Sequence, residues 1–393
     1  METIFSHPLF VPIVITVVII AVFPLVAGYI TLVERKVLAD FQVRLGPMRV
    51  GPHGLLQPIA DALKLLLKED IVPADADRSL FWMAPVISTF TALTSFAVLP
   101  FARNIFVADV NVGLLVISAM SAVGILRIIL GGWSSNSHYP LLGALRSAAQ
   151  LVSYEVALAF ALLSGVMTAG TLSMQGIVNA QLHRGIWFVF DNYLFMIVPF
   201  VVYMVSAVAE TNRAPFDLPE AESELVAGFH TEYSGFRWAL YFLAEYANIF
   251  VVCSVAVTLF LGGWLWPFPS VAWLAVPVNV VFPMVLFAGS AALTLPLVKR
   301  LIDPTQQKVL IAVVLLLFLV AALFAIPSVN AAVIGLFWFL LKVSCLIYGM
   351  IWFRGTFPRY RYDQLMNIGW KIMIPLGMAA VLINAVLGMT RHA

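Results

Sequence analysis

Charge is scarce in this chain. Only 11% of its 393 residues are Asp, Glu, Lys or Arg, 62% are hydrophobic, and the formal net charge is +2. No basic stripe interleaved with aromatics occurs, which excludes a nucleic-acid partner. Cysteine is almost absent as well: Cys253 and Cys345 complete the count, and both fall in apolar runs. There is no Cys-x-x-Cys, no His pair at i, i+4 and no glycine-rich phosphate loop. The chain is therefore expected to bind no FMN, NAD or iron–sulfur cluster, and any redox role must be borrowed from a partner.

Long apolar runs are what the chain has in abundance, with a mean hydropathy of +0.99. A hydrocarbon layer about 30 Å thick is crossed by about 20 apolar residues in a helix. The runs Leu9–Leu32, Phe81–Phe101, Val110–Leu130, Leu151–Gly170, Trp187–Ala209, Trp238–Gly262, Trp273–Leu297, Leu310–Ile326, Val333–Phe353 and Ile372–Leu387 meet that requirement. They predict an all-α, polytopic transmembrane protein of about ten spans. Met1 to His7 carries no Lys or Arg, so the first span is expected to stay as an anchor. With the N terminus outside, the inner loops hold 18 of the 22 Lys and Arg, the outer loops hold Arg103, Arg184 and Arg391, and Lys342 lies within a span. That bias sets the orientation.

The first inner loop carries a helix of its own. Over Leu55–Glu69 the apolar Leu56, Ile59, Leu63 and Leu66 share one face, opposite Gln57, Asp61, Lys64 and Lys68. At about 15 residues it is too short and too charged to cross, so it is expected to lie in the headgroup plane. It is either a surface anchor or the roof of a chamber for an amphiphile. Upstream, Arg44 to Pro52 is a Gly/Pro-punctuated turn with two arginines, suited to a fixed interface loop.

Between two apolar runs, Glu210 to Glu232 concentrates six carboxylates (Glu210, Asp217, Glu220, Glu222, Glu224, Glu232) and Arg213. Crowded carboxylates beside hydrocarbon do not all ionise at their solution pKa, so such a cluster stores and releases protons. The plainer reading is a solvated acidic loop that docks on a basic partner. Inside the spans lie Glu155, next to Tyr154, and Glu245, next to Tyr246, with Lys342 roughly mid-span. Each is either half of a structural ion pair, such as Glu245 with Lys342, or a step on a proton path.

Several long blocks carry a resemblance. They are Val33-Glu34-Arg35-Lys36 with Gln42 to Pro47, Gly54 to Asp61 with Lys64, and Gly132 to Asn136 running through Arg146 to Glu155. Glu210–Gly235, Phe242 to Asn248 and Trp352-Phe353-Arg354 with Pro358 to Met366 complete the set. In these blocks the chain closely resembles the H-type membrane subunits of proton-pumping NADH:quinone oxidoreductase, respiratory complex I, a family whose mitochondrial equivalent is called subunit 1. The resemblance implies a membrane subunit at the elbow of a multisubunit complex, with quinone (ubiquinone or menaquinone) as substrate and no complete active site in this chain alone. It implies that Arg35, Asp61, Lys64, Arg213, Arg354 and Arg359 line the quinone chamber. Glu34, Glu155, Glu210, Glu220, Glu222, Glu224, Glu232 and Glu245, with Tyr154, Tyr246 and Lys342, are the proton-coupling candidates. The implied partners are peripheral-arm subunits carrying the terminal iron–sulfur cluster and the headgroup ligands, small membrane subunits, antiporter-like subunits and lipids. The implied location is a bacterial-type inner membrane.

Departures from the family pattern are mild at Met48 and at Gly355 to Phe357. The larger one is 271–330, which looks like a helix hairpin inserted into an eight-span core made of 1–270 and 331–393. Its charges cluster at one turn, so it is expected to be peripheral. Two other classes fit some of the residues: the membrane anchor of a related proton-pumping hydrogenase, and a secondary transporter, against which the lack of internal repeats counts.

Overall fold

The structure, a computed structural model, describes residues 10–217, 227–300 and 304–392. Among these every regular element is helical, and thirteen helices organise the chain. They are α1 (Phe10–Phe41), α2 (Gln57–Leu67), α3 (Arg78–Val98), α4 (Gly113–Ser134), α5 (His138–Ala169), α6 (Met174–Arg184) and α7 (Ile197–Glu210). After the acidic segment follow α8 (Gly235–Phe260), α9 (Phe282–Arg300), α10 (Pro304–Leu323), α11 (Pro327–Thr356), α12 (Tyr362–Asn367) and α13 (Ile374–His392). Nine stretches among the described residues are long and apolar enough to cross a membrane. The chain is a polytopic helical membrane protein.

The expected span Trp187–Ala209 needs correction. Helix begins only at Ile197, after two short 3₁₀ turns at Phe188–Phe190 and Asn192–Leu194. Asn192 and Leu194 sit at φ 50° and 68°, in the left-handed region that ends a right-handed helix. Fourteen residues rise only about 21 Å, so α7 alone is shorter than the hydrocarbon layer, and those turns precede it.

Burial sorts the bundle into centre and rim. In α8, 83% of the most apolar 18-residue window is buried, against 17% in α1 and 11% at Pro277–Val298. Helices α1, α3, α5, α7 and α11 contribute to the core around α8, through residues such as Phe23, Phe96, Ala161, Val202 and Phe339. Small residues permit this closeness, since a Cβ on Gly165 of α5 would stand 2.5 Å from Leu259 of α8.

Helices α9 and α10 pair with each other, and α8 packs directly against α11. The pair meets the N-terminal half of α11 through a cluster of Phe324, Phe337 and Trp338. Asn279 holds the joint, accepting from Trp338 Nε1 at 3.0 Å through its side chain and from Asn330 Nδ2 at 2.9 Å through its backbone carbonyl. These bonds leave the pair lying on the core with most of its surface uncovered.

The interfacial helix forms as its period predicts, over Gln57–Leu67, and Leu56, Ile59, Leu63 and Leu66 are all exposed, a face left for lipid or a partner. Gly54, at φ 77°, sets the turn that leads into it; a Cβ there would stand 2.2 Å from the Pro47 carbonyl oxygen. Gly54→Ala must push the 43–54 turn off its seat at a cost of about 2 kcal/mol. Limited proteolysis of the membrane-embedded protein is expected to cut that turn at least about tenfold faster in the variant; an unchanged rate contradicts the assignment.

Candidate functional site

Two cavities and a cluster of charges gather most of the described candidates. Toward the C-terminal end of α1, Glu34 is buried and paired with Arg354 of α11, whose Nη1 donates to Oε1. Arg213 stands within Coulombic reach of Glu34, and the Tyr246 hydroxyl is hydrogen-bonded to it. The Arg213 guanidinium lies 4.3 Å from the Tyr246 ring centroid, a cation–π contact that keeps cation and phenol together. Four groups from α1, α8, α11 and the loop after α7 thus share one buried charge network.

A cavity of about 220 Å³ opens beside this network, lined by Arg213, Arg354, Tyr246, Glu245, Tyr241 and His230 among others. It brings two chamber candidates and two proton-coupling candidates onto one wall. Tyr241 continues the polar line inward: its hydroxyl donates to the Arg127 carbonyl at 3.4 Å, and Glu245 lies in its electrostatic field. A second cavity of about 120 Å³ is lined by Arg127, Glu155, Glu210, Ser121 and Asn248, with an apolar remainder. The Ser121 hydroxyl donates to Glu210, which sits within electrostatic reach of Glu155 and Arg127. Space of this size has room for several waters, which bridge polar groups where the walls carry them.

The described start of the acidic segment is held from two sides. Gln150 of α5 donates from Nε2 to the Ala209 and Phe216 carbonyls at 3.0 and 2.8 Å. Arg359 Nη2 binds Asp217 at 2.9 Å, and Tyr360 N donates to the Pro215 carbonyl at 3.1 Å. Downstream, a Cβ on Gly143 would stand 2.9 Å from Gly228, so α5 also grips the far end of the segment. Glu220, Glu222 and Glu224 lie outside the described residues. Glu232 is described, half-buried, but lines neither cavity.

The other candidates separate from this line. Arg35 pairs with Asp61 at 2.8 Å, tying α1 to α2, and Gln57 adds a bond to the same carboxylate at 3.0 Å. Lys64 is exposed on α2, and Arg359 is exposed apart from its ion pair. Tyr154 is fully buried and donates to the Leu365 carbonyl at 2.9 Å, against Phe216, so it props the C-terminal segment and does not pair with Glu155. Lys342 likewise forms no pair with Glu245. Its ammonium binds the carbonyls of Leu261, Gly263 and Leu265, about 24 Å of helical rise along α8 from Glu245.

Residues of the site not among the sequence candidates include Arg127, Gln150, Ser121 and Tyr241, with His230 and Asn248 on the cavity walls. Arg127 counts among the inner-side charges by sequence, yet α4 runs on to Ser134 and buries it. Its Nη1 donates to Ser88 at 2.8 Å. A signal for it exists, an arginine within reach of an apolar run; Gln150 and Ser121 are uncharged and give none. Among the described residues no group of three or more His, Cys, Asp or Glu is placed to hold a metal ion.

A multispan helical membrane protein with a line of buried polar groups is the class these features define. The NADH dehydrogenase family model matches residues 13–299 and 301–385. The chain is 77% identical over 389 residues to the NADH-quinone oxidoreductase H subunit 2 of Solibacter usitatus (strain Ellin6076), covering 99% of both. It is 52% identical over 400 residues to the NADH-quinone oxidoreductase H subunit 1 of Koribacter versatilis (strain Ellin345), covering 99% of this chain and 93% of that one. With the NADH-quinone oxidoreductase H subunit of Rickettsia canadensis (strain McKiel) the identity is 42% over 397 residues, covering 100% and 99%. The chain belongs to the NADH dehydrogenase family.

Removing Arg354 strands a buried carboxylate, which costs about 3 kcal/mol when water cannot reach it. Arg354→Ala is expected to destabilise the protein by about that amount, and Glu34→Ala in the same chain to restore part of it. A double-mutant cycle on thermal unfolding in detergent measures the coupling; additive losses rule out the pair as a stabilising unit.

Proposed function

We propose that this chain is the membrane subunit of a proton-translocating NADH:quinone oxidoreductase that forms the quinone chamber and passes the consequence of quinone reduction to buried carboxylates. The reading rests on one observation, the 220 Å³ cavity whose wall joins Arg213 and Arg354 to Glu245 and Tyr246. Electrons come from a partner subunit carrying the terminal iron–sulfur cluster, since this chain contributes only polar and apolar walls. The exposed apolar face of α2, tied to α1 through Arg35 and Asp61, roofs the entrance for the isoprenoid tail. Small membrane subunits, antiporter-like subunits and lipids adjoin the remaining faces. The chain sits in a bacterial-type inner membrane with its N terminus outside, supported by the inner-side excess of Lys and Arg.

Reducing a quinone adds two electrons and takes up two protons, which changes the charge facing the Glu34–Arg354–Arg213 network. In a low-dielectric surround that change shifts the proton affinity of neighbouring carboxylates. Tyr246 touches both Glu34 and Arg213, so it feels the change directly and borders the cavity that holds Glu245. From there Tyr241 and Arg127 lead to Glu210 and Glu155, which titrate as a coupled set. The set therefore moves between protonation states as quinone is reduced, and that shift in population is what antiporter-like subunits read. Glu220, Glu222 and Glu224 extend the same acidic surface.

The helix pair within 271–330 is proposed as a peripheral element carrying no catalytic group. Its two spans have 11% and 17% of their most apolar windows buried, which supports a lipid-facing position.

Glu155→Gln, Glu224→Gln and Glu245→Gln each remove one titrating site with little change of shape. Coupled quinone reductase turnover is expected to fall at least about tenfold in each while the complex still assembles. Wild-type turnover and pumping in all three assembled variants would remove the proposal's support.

A further inference from the structure

Lys342 takes no part in the mechanism above. Its Nζ lies 2.6 Å from the Leu261 carbonyl oxygen and 2.7 Å from those of Gly263 and Leu265, with the Trp187 ring centroid at 4.5 Å. Three carbonyls match the three N–H donors of an ammonium. A neutral amine has two donors and would turn its lone pair onto the third oxygen. The cage is built from the turn that follows α8, Leu261 to Leu265, beside the C-terminal end of the helix, where the helix dipole favours a cation. The geometry therefore favours the charged ammonium, whose three protons are all committed to carbonyl oxygens.

Its position along α8 gives that charge a use. The cavity around Glu155 and Glu210 reaches Val255 on α8, and Leu261 follows six residues later, about 9 Å further along the helix. The intervening layer is tight. Gln181 of α6 donates to the Thr258 carbonyl at 2.9 Å and accepts from Phe188 N at 3.0 Å, and Leu259 presses against Gly165.

We propose that Lys342 is a fixed electrostatic seal, standing along α8 between the carboxylate cavity and the outer face of the membrane and repelling protons and cations on that route. Fixed positive charges in narrow passages exclude cations in this way. The proposal rests on the orientation given above, in which α8 runs from the inner to the outer face. Its consequence is that the carboxylate cavity exchanges protons with one side only.

The test reads passive leak. The intact complex carrying Lys342→Met, Lys342→Gln or Lys342→Arg is sealed into vesicles, a pH gradient is imposed without electron donor or quinone, and its decay is followed with a pH-sensitive dye. The Met and Gln variants are expected to leak on the order of tenfold faster than wild type, and the Arg variant to remain tight. Equal tightness in all three overturns the proposal, as does slowed quinone reduction with a tight membrane, which marks a relay residue. Leak in the Arg variant too assigns the role to shape, and failure of both neutral variants to assemble while Arg assembles assigns the charge to folding; each refutes the seal. Because the leak is read without turnover, its outcome is separable from that of the quinone proposal.

Discussion

A carboxylate buried at the end of the first helix needs a cation, and the cation that meets it comes from the far end of the chain. Glu34 and Arg354 are 320 residues apart in sequence, and their pairing brings α1 and α11 together beside α8. An isolated ionised carboxylate in this surround is too expensive to persist, so Arg354 and Arg213 are required by the fold before they serve any function. The network they form then fixes one wall of the larger cavity. Stability and chemistry here use the same contacts, which is why removing either partner is expected to affect both.

From that wall inward the polar groups alternate between helices: Glu245 and Tyr241 on α8, Arg127 and Ser121 on α4, Glu210 at the end of α7 and Glu155 on α5. No single helix carries the line, so a proton passing along it depends on the packing of four helices at once. Beyond the C-terminal end of α8, the turn Leu261 to Leu265 forms the carbonyl cage filled by Lys342. The two cavities thus lie along the N-terminal part of α8 and the dense packing lies toward its C-terminal end.

Much of this is legible in the residues. The spans follow from run length, and the interfacial helix follows from its 3.6-residue period, with ends within two residues of Leu55–Glu69. Glu155 and Glu245 stand out because charge inside an apolar run demands a reason. What escapes is what hydropathy does not record. Gln150 and Ser121 are neutral, and their roles depend on which helix they face. Arg127 reads as an inner-side residue because its apolar run ends at Leu130, four residues before the helix does. The tyrosines beside the glutamates look alike in sequence, but successive residues on a helix point about 100° apart: Tyr246 meets Glu34, while Tyr154 props Leu365. Charge alone pairs Lys342 with Glu245 in the sequence, but in the structure Lys342 binds carbonyls about 24 Å of helical rise along the chain from Glu245.

The central claim is that quinone reduction changes the protonation of a carboxylate set anchored on the Glu34–Arg354–Arg213 network. Redox-difference infrared spectroscopy of the assembled complex reads it most directly. A change in carboxylic-acid carbonyl absorption is expected on quinone reduction, reduced when Glu245 is replaced by Gln and altered in Arg354→Lys. A difference spectrum with no carboxyl signal, or one indifferent to both replacements, would contradict the account.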